Sequence, residues 1–231
     1  MTHGRVRILL TAALLLGSGA LAAESPDPVT SKDEFSAFVQ AYNKNPRPER
    51  IVAAMRFAAG SDVITNDNTD LMTQATFSCL FARHPDRKSA FKQAITSLEE
   101  PARTYFQTAI DSDPADLFLQ VPAQPKKNDM SWGCYLVTGD VSYAQDVIAA
   151  LKNLDNRQDL IKYLTASSAQ WSLSGIAKDD SKVRAALEQA ARDKNKVVAE
   201  AARDALEKSP DAIRAATIEI LKAQRAAGVW K

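Results

Sequence analysis

The sequence predicts an all-α protein: antiparallel helix pairs stacked into a compact bundle or a short α-solenoid-like array, with no significant β-sheet. Three observations predict it. Apolar residues recur every three or four positions along the chain, not every second one. Glycine is scarce, 8 in 231 residues. The Asn-Gly and Asp-Gly turns that close tight hairpins are absent.

The elements follow in order. Ser31 and Glu34 form a capping box, and Phe35, Phe38, Val39 and Tyr42 then keep helical spacing. Pro46 and Pro48 stop that helix and start another, with Ile51, Val52 and Met55 inward and Gly60 at its end. After a polar loop over 61–68, a helix over 69–83 places Leu71, Ala75 and Cys79 on one face. Pro85-Asp86 opens a helix with Phe91, Ala94, Ile95 and Leu98. Pro101 suits the first turn of the next, which carries Tyr105, Phe106, Ala109 and Ile110.

Asp111 to Asp129 reads as the one long interruption, holding Pro114, Pro122 and Pro125 around Leu117, Phe118, Leu119 and Val121. Loops of this length in compact domains are often functional, and the apolar cluster suggests that part of it is pinned. Asp129 then caps a helix with Trp132, Cys134, Tyr135 and Leu136, ended by Thr138-Gly139-Asp140.

Beyond it, Tyr143, Val147, Ile148 and Leu151 mark one helix, and Leu160, Ile161, Leu164, Trp171 and Ile176 a longer one. Three Ala-rich helices close the chain, over 181–192, 196–208 and 211–227. Val183-Arg184-Ala185-Ala186-Leu187 is echoed by the run from Val198 to Leu206, about 15 residues on, half of a proper repeat period. On these residues the last stretch resembles helical repeats of the HEAT type. The resemblance implies α-solenoid-like stacking and no family membership.

The first residues carry an address. Arg5 and Arg7 precede an apolar run from Ile8 to Leu16, then Gly17-Ser18-Gly19 and Ala20-Leu21-Ala22. This is the pattern of a secretory signal peptide over 1–22, cleaved after Ala22. The run is about half of the 20 residues that span a bilayer, and no Cys follows it to take a lipid. The expected product is a periplasmic or secreted protein without a transmembrane anchor. It has a short flexible lead-in over 23–30 and one helical domain over 31–231, divisible at the 111–129 interruption.

Cleavage changes the charge. The precursor holds 29 basic and 28 acidic residues. Loss of Arg5 and Arg7 leaves 27 against 28, a net charge of −1. Such a chain has no electrostatic case for nucleic acid. Export also changes the reading of Cys79 and Cys134. In an oxidising compartment an even pair points to a disulfide, and closing that loop contributes about 4 kcal/mol. The alternative is two small buried thiols.

No motif here carries chemistry. Once the leader is removed, His84 is the only histidine, placed at a helix end. Cys79 lies five residues before it, poor geometry for a nucleophile and base. Ser89-Ala90-Phe91-Lys92 matches Ser-x-x-Lys, but the Ser-Asp-Asn and Lys-Thr-Gly elements of that chemistry are missing. Asn66, Asn68 and Asp70 alternate like a calcium loop but lack its Gly and Glu, and read as a turn and cap. Glu188 and Arg192, four apart, are a helix-surface pair. No metal ligand set, phosphate loop or dinucleotide fingerprint occurs, so no cofactor is expected.

What remains is a surface. Trp132, Tyr135 and Tyr143 cluster around the 138–140 turn, with Trp171 beyond. They either line a groove or form the core that joins the two halves. The expected function is a non-catalytic interaction or structural module for a protein or envelope component. Its candidate surface comprises Leu117, Phe118, Leu119, Val121, Trp132, Tyr135 and Tyr143. One alternative is a hydrolase of an envelope polymer, acting through two carboxylates about 5 to 9.5 Å apart. Another is an inhibitor or immunity protein for a secreted toxin, marked by a large exposed patch.

Overall fold

A computed structural model describes residues 27–230; the expected signal peptide over 1–22 and its expected cleavage site lie outside them. These residues form twelve α-helices and no strand. The first six are α1 (Lys32–Ala41), α2 (Ile51–Ala59), α3 (Asp70–Arg83), α4 (Lys88–Thr96), α5 (Ala102–Asp111) and α6 (Pro114–Gln120). The second six are α7 (Pro125–Thr138), α8 (Val141–Ala150), α9 (Leu160–Ile176), α10 (Ser181–Ala190), α11 (Lys196–Glu207) and α12 (Pro210–Ala226). No described helix is long and apolar enough to cross a membrane.

Helix starts follow local chemistry. Ser31 Oγ accepts from Glu34 N at 3.1 Å, while the Glu34 carboxylate reaches back to Thr30 N at 2.7 Å. The box is therefore one residue longer than the sequence suggests. Asp140, Asp159, Asp180, Asn195 and Ser209 cap α8 to α12 in the same manner, each satisfying an orphan N–H of the first turn. Residues 27–30 are held against the body. Arg50 donates to the carbonyls of Asp27 and Pro28, and Val29 is buried.

The expected interruption over 111–129 is corrected. Pro114 and Pro125 start helices rather than break them, because proline at the first helical position loses no needed N–H. Asp113 caps α6, accepting from Ala115 N at 2.8 Å. Asp129 is not a cap; it lies inside α7, four residues beyond Pro125. Only 112–113 and 121–124 are left as connections.

Helix α7 is the spine. Asn128, Met130, Ser131, Trp132, Gly133, Cys134, Tyr135 and Val137 are all buried, so it has no solvent stripe over most of its length. One side joins the apolar cluster of α1 to α6 through Met130, Cys134 and Val137. The other joins the cluster of α8 to α11 through Trp132 and Tyr135. Its buried polar groups are paired, as burial requires. Asn128 Nδ2 donates to Thr165 O and Ser168 Oγ, both at 2.8 Å, and Trp132 Nε1 donates to Ser172 Oγ at 2.9 Å.

The α3–α7 seam fixes the register. Lys126 pairs with Asp70 at one end, Cys79 and Cys134 are bridged in the middle, and Arg83 donates to Val137 O at the other. Residue numbers rise together along the seam, so the two helices run parallel, as helices in one layer of a stacked array do. Gly133 permits the close approach: a Cβ there would meet Met72 O at 2.8 Å and Thr76 Oγ1 as well. The repeat-like echo has a local origin. Val183 to Leu187 and Val198 to Leu206 are the facing stripes of the α10–α11 hairpin, two consecutive helices rather than two repeats.

Candidate functional site

The predicted surface residues divide in two. Leu117, Val121, Trp132 and Tyr135 are core, Trp132 being 5% exposed. Trp132 packs edge-on against Tyr135, whose hydroxyl meets Asp180; burial first, then that carboxylate, raises the phenol pKa. Both rings belong to the second apolar cluster and lie outside the groove between α6, α7 and α8. Trp171 does not share that core: it lies on α9, 45% exposed, beside a solvent face that also shows Ile161 at 51%.

Phe118, Leu119 and Tyr143 come together elsewhere. They line a groove of about 690 Å³ between α6, the start of α7, and α8. Phe118 and Tyr143 rings lie 5.8 Å apart. Leu119 stands at this groove, 81% exposed, the most exposed large apolar side chain among the described residues. Ala149 and Ala150 complete the apolar part. Its polar lining includes Asp113, Lys127, Asn128, Asp146, Lys152 and Thr165.

Three elements position these groups. The Asp113–Pro114 start aims α6 so that Leu117 goes inward and Leu119 outward. Lys127 Nζ donates to Val121 O at 3.1 Å and ties the connection to α7. The Tyr143 hydroxyl lies 3.4 Å from Cys79 Sγ, so α8 rests on the disulfide. Burial raises the Tyr143 pKa, and the carboxylates of Asp140, Asp113 and Asp146 raise it further. Burial also pushes the Asp146 carboxyl up, against the opposing pull of Lys127. Sequence reasoning missed Lys127 and Asp146, because nothing marks a charged residue on a helix as facing a groove.

The other chemical candidates are engaged in structure. His84 accepts or donates at 2.6 Å with the Tyr42 hydroxyl, at the C-terminus of α3. Burial pushes its pKa down, Arg83 and Arg87 add to this, and Asp86 opposes. Burial raises the Tyr42 phenol to about 12. Lys92 pairs with Asp111 at 2.8 Å, not with Ser89, while Phe91 and Ile95 are core. Asn66 Oδ1 accepts from Asn68 N, and Asp70 pairs with Lys126. Glu188 pairs with Arg184 at 4.0 Å rather than with Arg192, which lies beyond the last residue of α10.

The His84 arrangement predicts a pH effect. Its folded pKa is depressed, so its contribution to stability is present above the ordinary value of 6.5 and lost as pH falls through the folded value. Urea unfolding of wild type and His84→Gln should diverge on this account. The wild type should lose stability on acidification below about pH 6.5, and the variant should lack that component. Parallel curves would contradict it.

No protein-family model matches the chain, and no curated protein and no solved structure matches it. The site is therefore read from its geometry alone.

Proposed function

We propose that this chain is an exported, non-catalytic interaction module that takes a peptide segment of a protein partner in the α6–α7–α8 groove. The exposed Leu119, on a groove containing Phe118 and Tyr143, carries the reading. A short helix that turns one leucine into its core and holds the next apolar residues at a groove is suited to contact. The amide of Asn128 is spent on Thr165 and Ser168, whereas the Asp146 carboxyl and Lys127 ammonium offer an acceptor and a donor beside the apolar wall.

The leader supports placement in the periplasm or outside the cell. The Cys79–Cys134 bridge supports an oxidising compartment independently.

The carboxylate-pair hydrolase has weaker support. Asp113 and Asp146 are the two carboxylates on this groove, and Asp113 is already occupied as the α6 cap. The inhibitor reading is a special case of the interaction reading, with a toxin as partner.

The test is binding with the fold held constant. Leu119→Asp places a charge at an exposed position, so helicity and melting temperature should stay within the small range of surface changes. Retention of the partner from the exporting cell's envelope should fall at least about tenfold, as for loss of a central apolar anchor. Equal retention by wild type and variant would overturn the proposal.

A further inference from the structure

The α6–α7–α8 groove is not electrically uniform. Phe118 and Tyr143, both part-exposed, line it with their ring centroids 5.8 Å apart. Asp113 lies on the same lining at the start of α6, five residues before Phe118. Asp146 lies on it one helical turn beyond Tyr143 on α8. Both aspartates are exposed, so a ligand in the groove can reach them. Asp140, the cap of α8, stands one turn before Tyr143.

No cation among the described residues forms an ion pair with Asp113, Asp140 or Asp146. Asp113 and Asp140 each accept one helix-start N–H, from Ala115 at 2.8 Å and from Ser142 at 3.0 Å. Asp146 lies within α8 and caps nothing. Beyond burial, the charges that act most on the Tyr143 phenol are these three carboxylates. The two cations of the groove are placed differently. Lys127 is anchored on Val121 O at 3.1 Å, and its charge acts on Asp146. Lys152 follows α8, nine residues beyond Tyr143 and about 13 Å away at helical rise. Three carboxylates against one lysine leave the aromatic pair in a negative field.

A long basic side chain matches such a place. Its methylenes lie along the rings, its charged head reaches the carboxylates, and ring faces attract a cation. An acidic side chain would meet like charge there. On the reading of this groove as a peptide site, on which the assignment rests, we infer that it selects segments with a basic residue beside an apolar one. The lysine or arginine lies on Phe118 and Tyr143 between Asp113 and Asp146, and the apolar neighbour packs on Leu119.

The probe is a phage-displayed library of random peptides, selected in parallel on the purified protein and on two variants. Asp113→Asn/Asp146→Asn removes both charges and keeps the shape, since asparagine still caps α6. Leu119→Gln removes the apolar anchor without adding charge. Peptides selected on the wild type should be enriched in Lys or Arg beside an apolar residue. The pool from the double variant should keep the apolar residue and lose the basic one. A wild-type peptide should bind that variant about tenfold more weakly, the scale of two part-exposed charge contacts. If the double variant loses its fold, Asp146→Asn alone, which touches no cap, decides by the same loss of Lys and Arg. Pools of equal basic content from wild type and charge variant, with Leu119→Gln depleted of binders, would overturn the selection and leave the peptide site standing. Peptides that bind Leu119→Gln as well as the wild type, or no selected peptide at all, would overturn both.

Discussion

The double variant Cys79→Ala/Cys134→Ala is expected to lose about 4 kcal/mol of stability, the chain-entropy value for a loop of this length. The bridge joins α3 to α7 across 55 residues of sequence, with the Cα atoms 5.5 Å apart. Both cysteines are buried in the α3–α7 seam, within the first apolar cluster. Removing the bridge frees the unfolded chain and takes the support from under Tyr143. The loss is a large share of the 5–15 kcal/mol typical of a whole domain. Denaturant unfolding of the oxidised protein and the variant measures it. A difference under about 1 kcal/mol would show that the seam holds without the bridge, outside the usual range for native disulfides.

Gly133→Ala is expected to cost about 3 kcal/mol, the upper end for overpacking. The added Cβ would meet Met72 O at 2.8 Å, a helix backbone atom that cannot turn aside as a side chain could. The helices must separate, and the separation is transmitted to the disulfide one residue away. Gly175→Ala serves as the comparison. There the Cβ would meet Pro210 Cγ at 3.7 Å, an ordinary contact, so the gain in helix propensity is felt without a clash. Thermal unfolding should show a large loss at 133 and no loss, or a small gain, at 175. Equal effects at the two positions would refute the close-packed seam.

The two positions also show what the sequence could and could not reveal. Apolar spacing locates most helices to within a residue or two, because caps and prolines are local signals: Ser31, Gly60 and Asp140 each stand where a helix begins or ends. Pro114 and Pro125 misled because proline breaks a helix interior but suits a helix start, and only the neighbouring caps distinguish the two. The resulting error hid α6, the helix that presents Leu119.

Burial is less legible. Trp171 and Ile161 keep the same spacing as core residues but face solvent on α9. Leu117 and Leu119 are two apart, and their opposite fates follow from how α6 sits on α3, a tertiary fact. Helix α7 looks poorly amphipathic in sequence because it is buried on all sides, with Asn128 and Ser131 made tolerable by hydrogen bonds. Arg157, Tyr163 and Trp230 are brought together by the antiparallel docking of α12 on α9, which no local pattern announces.

The groove ties the account together, since the bridge and the seam hold α3 against α7, and α6 and α8 pack beside them. The most direct measurement is photo-crosslinking in the cell that makes the protein, from a benzophenone amino acid at position 119, with position 188 on the exposed face of α10 as the control. The account predicts a discrete protein adduct from 119 and none from 188. No adduct at 119, or the same adducts from both positions, would contradict it.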